Sequence, residues 1–275
     1  MNSPLYLRLL EYFERLGNAA IAFSGGADSS LACVAAHEAL GDKAVALTVS
    51  TPYIARWEIE EARGLTAKRS MQHHIVSLEM PDAIRTNPKD RCYLCKGILF
   101  TRLKAFAGEH GFTNLCDGTN ADDLLDNRPG LRALAELSVR SPLAELKIAK
   151  EQVRRISKEL GLDTWDKPAN ACLLTRLPFD RAVSVSELRR IEEAEHFLIK
   201  RGLTAIRVRA HGDLARIETG PRLRAELLDE GLAAEIYKAF REFGFAYVAL
   251  DLLGYRSGSF NEENQRTGRE CIPMK

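Results

Sequence analysis

No stretch of this chain approaches the roughly 18 uninterrupted apolar residues of a membrane-spanning helix, although apolar residues make up 45% of it. An excess of one charge is also missing: 39 basic residues stand against 38 acidic ones, a net charge of +1. Such a surface has no global attraction for nucleic-acid or lipid phosphates, so neither nucleic acid nor membrane is expected as a partner. Cysteine is sparse, with six in 275 residues. That argues against a disulfide scaffold and raises the question of a reactive thiol. Internal repeats and low-complexity segments are lacking. The opening segment, "MNSPLYLRLLEYFERLG", places Glu and Arg among its apolar positions. It reads as an amphipathic helix and not as a secretory signal, and a cytoplasmic location is the expectation.

What is present first is alternation. "NAAIAF", "KAVALTVST", "HHIVSLEM" and "FTNLCDG" read as short strands. Helical spacing separates or follows them: from about Ser29 to Leu40, in "RWEIEEARGLTAKRSM", in "KGILFTRLKAFAGEHG" and in "AKEQVRRISKELG". Strand–helix repetition predicts an α/β fold, a doubly wound and mostly parallel sheet, over residues 1–165. The irregular segment 166–183 reads as a junction. Residues 184–275 read as a smaller α+β domain for substrate binding and oligomerisation. It opens on a Ser-capped helix, with "TAIRVRAHG" and "LARIETG" as paired strands, a helix or helix pair from Pro221, and "FAYVALDLLG" as a last strand.

The turn between the first strand and helix reads Ser24-Gly25-Gly26-Ala27-Asp28-Ser29-Ser30. Glycines permit a tight turn and close approach of a ligand. The first helical amides and the hydroxyls of Ser24, Ser29 and Ser30 suit an anionic phosphate. A plain glycine turn with a serine cap is the alternative. No Lys follows the glycines, so the P-loop pattern fails, and Gly-x-Gly-x-x-Gly fails too. The stretch resembles the PP-loop of the ATP pyrophosphatases, Ser-Gly-Gly-x-Asp-Ser, at that family's position after the first strand. The resemblance implies cleavage of ATP between the α and β phosphates, with the loop holding pyrophosphate. It also implies ATP contacts from Ser24, Gly25, Gly26, Asp28, Ser29 and Ser30. "ALTVSTP", with Thr48, resembles the strand on which such enzymes seat adenine. "DGTNADDLLDNRPG" carries Asp122, Asp123, Asp126 and Arg128. Carboxylates near a triphosphate suit Mg²⁺, for which Asp28 and Asp123 are candidates. Asp122 is a further ATP-site candidate, and Arg128 suits a phosphate. Each aspartate reads equally well as part of an acidic surface loop.

Two cysteine motifs bear on the acceptor. Cys92 and Cys95 in "NPKDRCYLCK" form a Cys-x-x-Cys pair that reads as half a zinc site, a redox pair or, preferred, a structural turn feeding the next helix. Cys172 in "KPANACLLTRLPF" lies in the junction, near Lys167 and Arg176. It is either a buried inert thiol or a nucleophile favoured by nearby cations. In "IRVRAHGDLARIE", Arg207 and Arg209 share one face by period-two alternation, which suits a phosphate or a solvated sheet face. His211 and Arg216 are weaker candidates, and His73 and His74 read as ordinary strand-end residues.

Taken together, "RCYLCK", "DGTNADD", "RPG", "RSPL", "KPANACL", "RVRAHGDLARIE" and "GYRSGSFNE" resemble the ATP-dependent sacrificial sulfur transferases that mature the nickel-pincer nucleotide of lactate racemase. The resemblance implies pyridinium-3,5-biscarboxylic acid mononucleotide as substrate, ATP and Mg²⁺ as cofactors, and Cys172 as sulfur donor, left as dehydroalanine. It implies Arg176, Arg207 and Arg209 at the substrate phosphate. It also implies a homo-oligomer, trimer or hexamer, with a downstream nickel-insertion protein as a partner. No iron–sulfur cluster is expected, because the junction has one cysteine. Glu195, Glu218 and Glu226 are candidates for the base that removes the Cys172 Cα proton. The rivals are a tRNA thiolase, an ammonia-dependent amide ligase such as NAD synthetase, and an ATP-sensing regulator without turnover.

Overall fold

The two apolar runs without a charged residue become the central strands of a sheet. β1 (Ala19–Ala22) and β2 (Ala44–Ser50) lie parallel, with Ala20 opposite Val45 and Ile21 opposite Ala46. β3 (His73–Ser77) pairs with the outer side of β2, and the two-residue β4 (Leu115–Cys116) with the other side of β1. The order is β3-β2-β1-β4, every pair parallel. Parallel neighbours need crossovers, and crossovers place helices over the faces. The side-chain period of two then sorts each strand into two cores. Ala19, Ile21, Ala44 and Ala46 pack with Leu9 and Phe13 of α1 (Pro4–Leu16), Leu31 of α2 (Ala27–Leu40) and Ala62 of α3 (Arg56–Lys68). Ala20, Val45, Leu47 and Val76 pack with Phe100 and Leu103 of α4 (Arg91–Glu109) and Leu134 of α5 (Pro129–Glu136). Leu143 of α6 (Pro142–Glu145) and Val153 of α7 (Lys150–Glu159) return to the first core.

The computed structural model describes residues 3–125, 129–168 and 170–256. They divide into one unit of residues 3–85 with 89–170 and a second of residues 86–88 with 171–256. Asp126 and Arg128, and the "SGSFNE" part of the last motif, lie outside the described residues.

The helix expected from Lys96 instead begins at Arg91. Cys92 and Cys95 therefore sit on the opening turns of α4, not on a turn that feeds it. The Asp90 carbonyl accepts the amides of Tyr93 and Leu94, so backbone bonding runs through the polar residues that hid the helical period. Two helices that were not expected, α5 and α6, occupy the stretch after the aspartate loop.

In the second unit Ser184 caps α8 (Val185–Lys200), its hydroxyl accepting the Glu187 amide at 3.2 Å. β5 (Arg207–His211) and β6 (Leu214–Glu218) form an antiparallel hairpin, with Arg207 opposite Glu218 and Arg209 opposite Arg216. The run from Pro221 is a helix pair, α9 (Pro221–Glu226) and α10 (Glu230–Glu242), the latter capped by Asp229. β7 (Tyr247–Leu250) pairs parallel with β6, giving the order β5-β6-β7. Leu188, Ile191, Leu198, Val208, Ile217, Phe240 and Phe245 are buried here. No helix among the described residues is long and apolar enough to cross a membrane.

Candidate active site

The chain leaves β1 toward β2 on one side and returns to its other side with β4. The carboxyl ends of β1 and β4 thus flank a topological switch point, where open α/β sheets bind ligands. The Ser24–Ser30 loop leaves β1 there, and Asp117-Gly118-Thr119-Asn120 leaves β4. The loops are built to touch. A Cβ added to Gly118 would lie 2.6 Å from the Ser29 amide nitrogen and 2.8 Å from its Cα. Only glycine lets the second loop approach α2 so closely. Gly25 has φ +71°, the left-handed conformation that its place in the motif requires.

Inside the loop, Ser29 Oγ lies 3.1 Å from Ser24 Oγ and 3.2 Å from the Gly26 carbonyl, holding the turn closed. The Ser30 amide donates to the Gly26 carbonyl at 2.9 Å, the first bond of α2, and the Ser30 hydroxyl is buried. No side chain caps this helix end. Its leading amides therefore keep their capacity for an acceptor.

Asp28 is held from two sides, by Asn120 Nδ2 at 3.2 Å and by a short ion pair with Lys150 Nζ. Lys167 Nζ donates to the Gly25 carbonyl at 3.0 Å and pairs with Glu61 of α3 at 2.6 Å. Asp122 and Asp123 serve the local fold as well. Asp122 accepts the Lys150 amide at 2.8 Å at the start of α7, and Asp123 accepts the Asn120 amide at 3.1 Å. Thr48 is buried in β2. Its hydroxyl donates to the Phe23 carbonyl at 2.7 Å and meets His73 Nε2 at 2.8 Å. The Nδ1 of the same imidazole meets Thr66 Oγ1 at 2.9 Å. Burial, helped by Arg63, pushes His73 down to about 4, so the ring is neutral at pH 7. His73 and His74 do open β3, and His73 also ties two elements together. Among the described residues no group of three or more His, Cys, Asp or Glu gathers to hold a metal ion.

The second unit carries the candidate sulfur. Cys172 is half-buried and precedes a single helical turn, Leu173–Arg176. Its carbonyl accepts the Thr175 amide at 3.0 Å and the Thr175 hydroxyl at 2.8 Å. Arg176 is buried and reaches the Ala171 carbonyl at 2.8 Å and Thr175 Oγ1 at 2.7 Å. Its other edge meets Glu195 of α8 in a two-pronged pair, both bonds 2.9 Å. Arg176 thus fixes the backbone beside Cys172. Arg207 and Arg209 share a face as expected, but that face is buried, not solvated. Arg209 forks onto Glu218 at 3.0 and 2.9 Å and donates to the Thr175 carbonyl, while Arg216 reaches the other Glu218 oxygen at 3.0 Å. Arg207 lies 5.4 Å from the Tyr255 ring centre and donates to the Ile206 carbonyl. Burial first, and then the charge of Arg176, lower its pKa. Glu195 and Glu218 are therefore engaged by arginines, and Glu226 pairs with Arg222 at 3.2 Å on α9.

Other thiols differ in setting. Cys33 and Cys116 are buried; burial pushes the first thiol far up and the second to about 12, which keeps both protonated. Cys92 is exposed, and Cys95 lies 3.4 Å from the Tyr53 hydroxyl. Sequence reasoning missed Lys150 and Asn120, passed over Lys167 as a neighbour of Cys172, and missed Asn87. The fully buried Asn87 amide reaches the carbonyls of Leu174, Leu177 and Pro178 at 3.2, 3.2 and 2.8 Å. An Asn before Pro was the available signal, since Asn tolerates the φ of 51° found there.

No family model matches the chain. It is 42% identical over 255 residues to an uncharacterized protein of Synechocystis sp., covering 92% of this chain and 95% of that relative. It is 30% identical over 159 residues to one of the subunits of the glutamine-hydrolyzing GMP synthase of Archaeoglobus fulgidus, 53% of this chain and 52% of the relative. That partial likeness and the parallel sheet agree with a PP-loop-like fold. It is 32% identical over 257 residues to the pyridinium-3,5-bisthiocarboxylic acid mononucleotide synthase of Lactiplantibacillus plantarum, 92% of each chain. A likeness of that length takes in the second unit as well as the sheet, and the chain belongs to the family of that synthase.

Proposed function

We propose that this protein is an ATP-dependent sulfur transferase. It adenylates a carboxylate of pyridinium-3,5-biscarboxylic acid mononucleotide, captures the acyl group on Cys172 and surrenders the sulfur of that cysteine. The observation that supports this reading is the setting of Cys172: a half-exposed thiol whose backbone is held by Thr175 and a buried arginine.

In the first step the uncapped amides of α2 receive the phosphates that leave as pyrophosphate. Asp28 and Asp123 would help to hold Mg²⁺, which would supply charge neutralisation at the phosphates. A carboxylate is a poor electrophile, and adenylation gives it AMP as a leaving group. The Cys172 thiolate attacks the acyl carbon, the C–S bond forms and AMP departs. A base then removes the Cys172 Cα proton. The Cβ–S bond breaks, its electron pair leaves on sulfur as the thiocarboxylate, and dehydroalanine remains in the chain. The substrate phosphate falls to Arg176, Arg207 and Arg209. A homo-oligomer and a downstream nickel-insertion protein complete the reading.

Wild-type protein incubated with ATP, Mg²⁺ and the pyridinium substrate should become lighter by one H₂S, with dehydroalanine mapped to residue 172. Cys172→Ala should release pyrophosphate and form no thiocarboxylate. Repeated turnover with unchanged protein mass would overturn the sacrificial mechanism. The half-chain likeness to a GMP synthase component favours an ammonia-using ligase as the second reading. Full activity of Cys172→Ala with ammonia would select it.

A further inference from the structure

The margin of the second core is finished with histidine. Leu103, Phe106, Ala107 and His110 recur at helical spacing along α4 and its last turn, and the first three pack toward the sheet. On β3, period two puts His74 on the same side as the buried Val76, which packs with that helix. Burial alone would end each run in an aliphatic residue. Both end instead in exposed imidazoles, which the fold brings together.

The ring centres of His74 and His110 lie 5.4 Å apart, with the planes at 45°. Phe106 stacks on the face of His110 at 4.1 Å and stands 5.4 Å from His74. His110 Nδ1 lies 2.8 Å from the Phe106 carbonyl oxygen. A carbonyl only accepts, so Nδ1 carries the proton and Nε2 keeps the lone pair. An imidazole that donates one ring N–H to a backbone carbonyl, and so has its tautomer and orientation set, is the usual form of a metal-binding histidine. Zinc sits about 2.0–2.1 Å from an imidazole nitrogen, and thus about 3.2 Å from the ring centre. Two rings at that reach, with centres 5.4 Å apart, subtend about 115° at the metal, close to the tetrahedral angle.

We propose that His74 and His110 form a two-histidine site for a divalent transition metal such as Zn²⁺, with water completing the coordination. Nitrogen ligands favour such an ion over Mg²⁺ or Ca²⁺, which take oxygen. The site stands on the edge strand, two strands from β1, and takes no part in the transfer proposed above. Among the described residues no group of three or more His, Cys, Asp or Glu gathers there. Two protein ligands make the metal exchangeable, in contrast with the closed four-ligand sites of structural zinc. When bound it ties β3 to the end of α4.

Zinc chloride titrated into the full chain tests this, with the six histidines labelled with nitrogen-15 and read by long-range proton–nitrogen spectra. Thiolates also take zinc, so the readout is at the rings themselves. The Nε2 resonance of His110 and one ring-nitrogen resonance of His74 should move together and saturate at one zinc concentration, while Nδ1 of His110 stays protonated. Magnesium chloride should move neither. His110→Phe keeps a ring on Phe106 and removes the ligand; in it the His74 response should need about tenfold more zinc or more, the loss of a chelating partner. His74→Gln should do the same to the His110 response, and it keeps the test decisive if circular dichroism shows that His110→Phe has lost its fold. Rings that saturate at different zinc concentrations, a response at either ring unaltered by loss of the other, or no response at either ring in millimolar zinc would each overturn the proposal and leave an aromatic cap on the core.

Discussion

The two units handle charge in opposite ways. In the first, the sheet is apolar on both faces and the ionised groups stand at its rim, where Asp28 and Lys150 are partly in water. In the second, charges enter the sheet itself. Glu218 is fully buried in β6, and Arg209 on the neighbouring strand is nearly so. Groups at a rim can exchange partners at small cost, because water screens them. Charges buried in a sheet cannot lose a partner without leaving the other stranded. The first arrangement suits a ligand that comes and goes. The second suits a frame that must not move, and Arg209 and Arg176 fasten that frame to the turn that follows Cys172.

The largest effect should come from breaking the buried side of this contrast. Glu218→Ala removes the carboxylate that Arg209 and Arg216 share and should cost about 3–5 kcal/mol, against about 1 kcal/mol for Asp28→Ala at the rim. Both tryptophans, Trp57 and Trp165, lie in the first unit. Denaturation followed by far-UV circular dichroism should therefore show an early transition in Glu218→Ala that tryptophan fluorescence does not. Equal costs for the two variants would erase the distinction.

Next in size is Gly118→Ala. Its Cβ would press on backbone atoms of Ser29, which cannot swing aside as a side chain can. About 1–3 kcal/mol of stability should be lost, and Mg·ATP affinity should fall with it, because the loop moves. Wild-type binding by this variant would show that the two loops are not coupled.

The smallest effect is a pH dependence confined to the first unit. His73 is held down to about 4 by burial, whereas an unfolded histidine titrates near 6.5. Between those values the unfolded chain takes up a proton that the folded chain refuses. Stability contributed by neutral His73 is complete above about 6.5, declines as pH falls and is gone below about 4. The stability gap between wild type and His73→Gln, from denaturation midpoints at several pH values, should narrow as pH drops through that window. A constant gap would show that His73 is not held neutral.

Local patterns were legible and long-range partnerships were not. The β1–α2 turn could be read because its glycines and serines are contiguous. The face shared by Arg207 and Arg209 could be read from alternation. Its burial could not, because it depends on Glu218 of the next strand and on Arg176, thirty-one positions before Arg207. Lys150 escaped notice for the same reason: it meets Asp28 across 122 positions. Helix α4 was cut short at its start because "NPKDRC" is polar and carries no apolar period. Thr48 was placed on the right strand, and only the fold shows its hydroxyl engaged by Phe23 and His73.

Asn87 gives the chain a grammar that resists cutting. Residues 86–88 belong with the second unit although they are translated long before it, and the Asn87 backbone carbonyl accepts the Asp180 amide at 3.1 Å. A gene split or fused at residue 170 would hand the second half a turn after Cys172 with three carbonyls bereft of their donor. Recombination that exchanges one half of this protein for another succeeds only where the incoming half brings its own equivalent of that early asparagine.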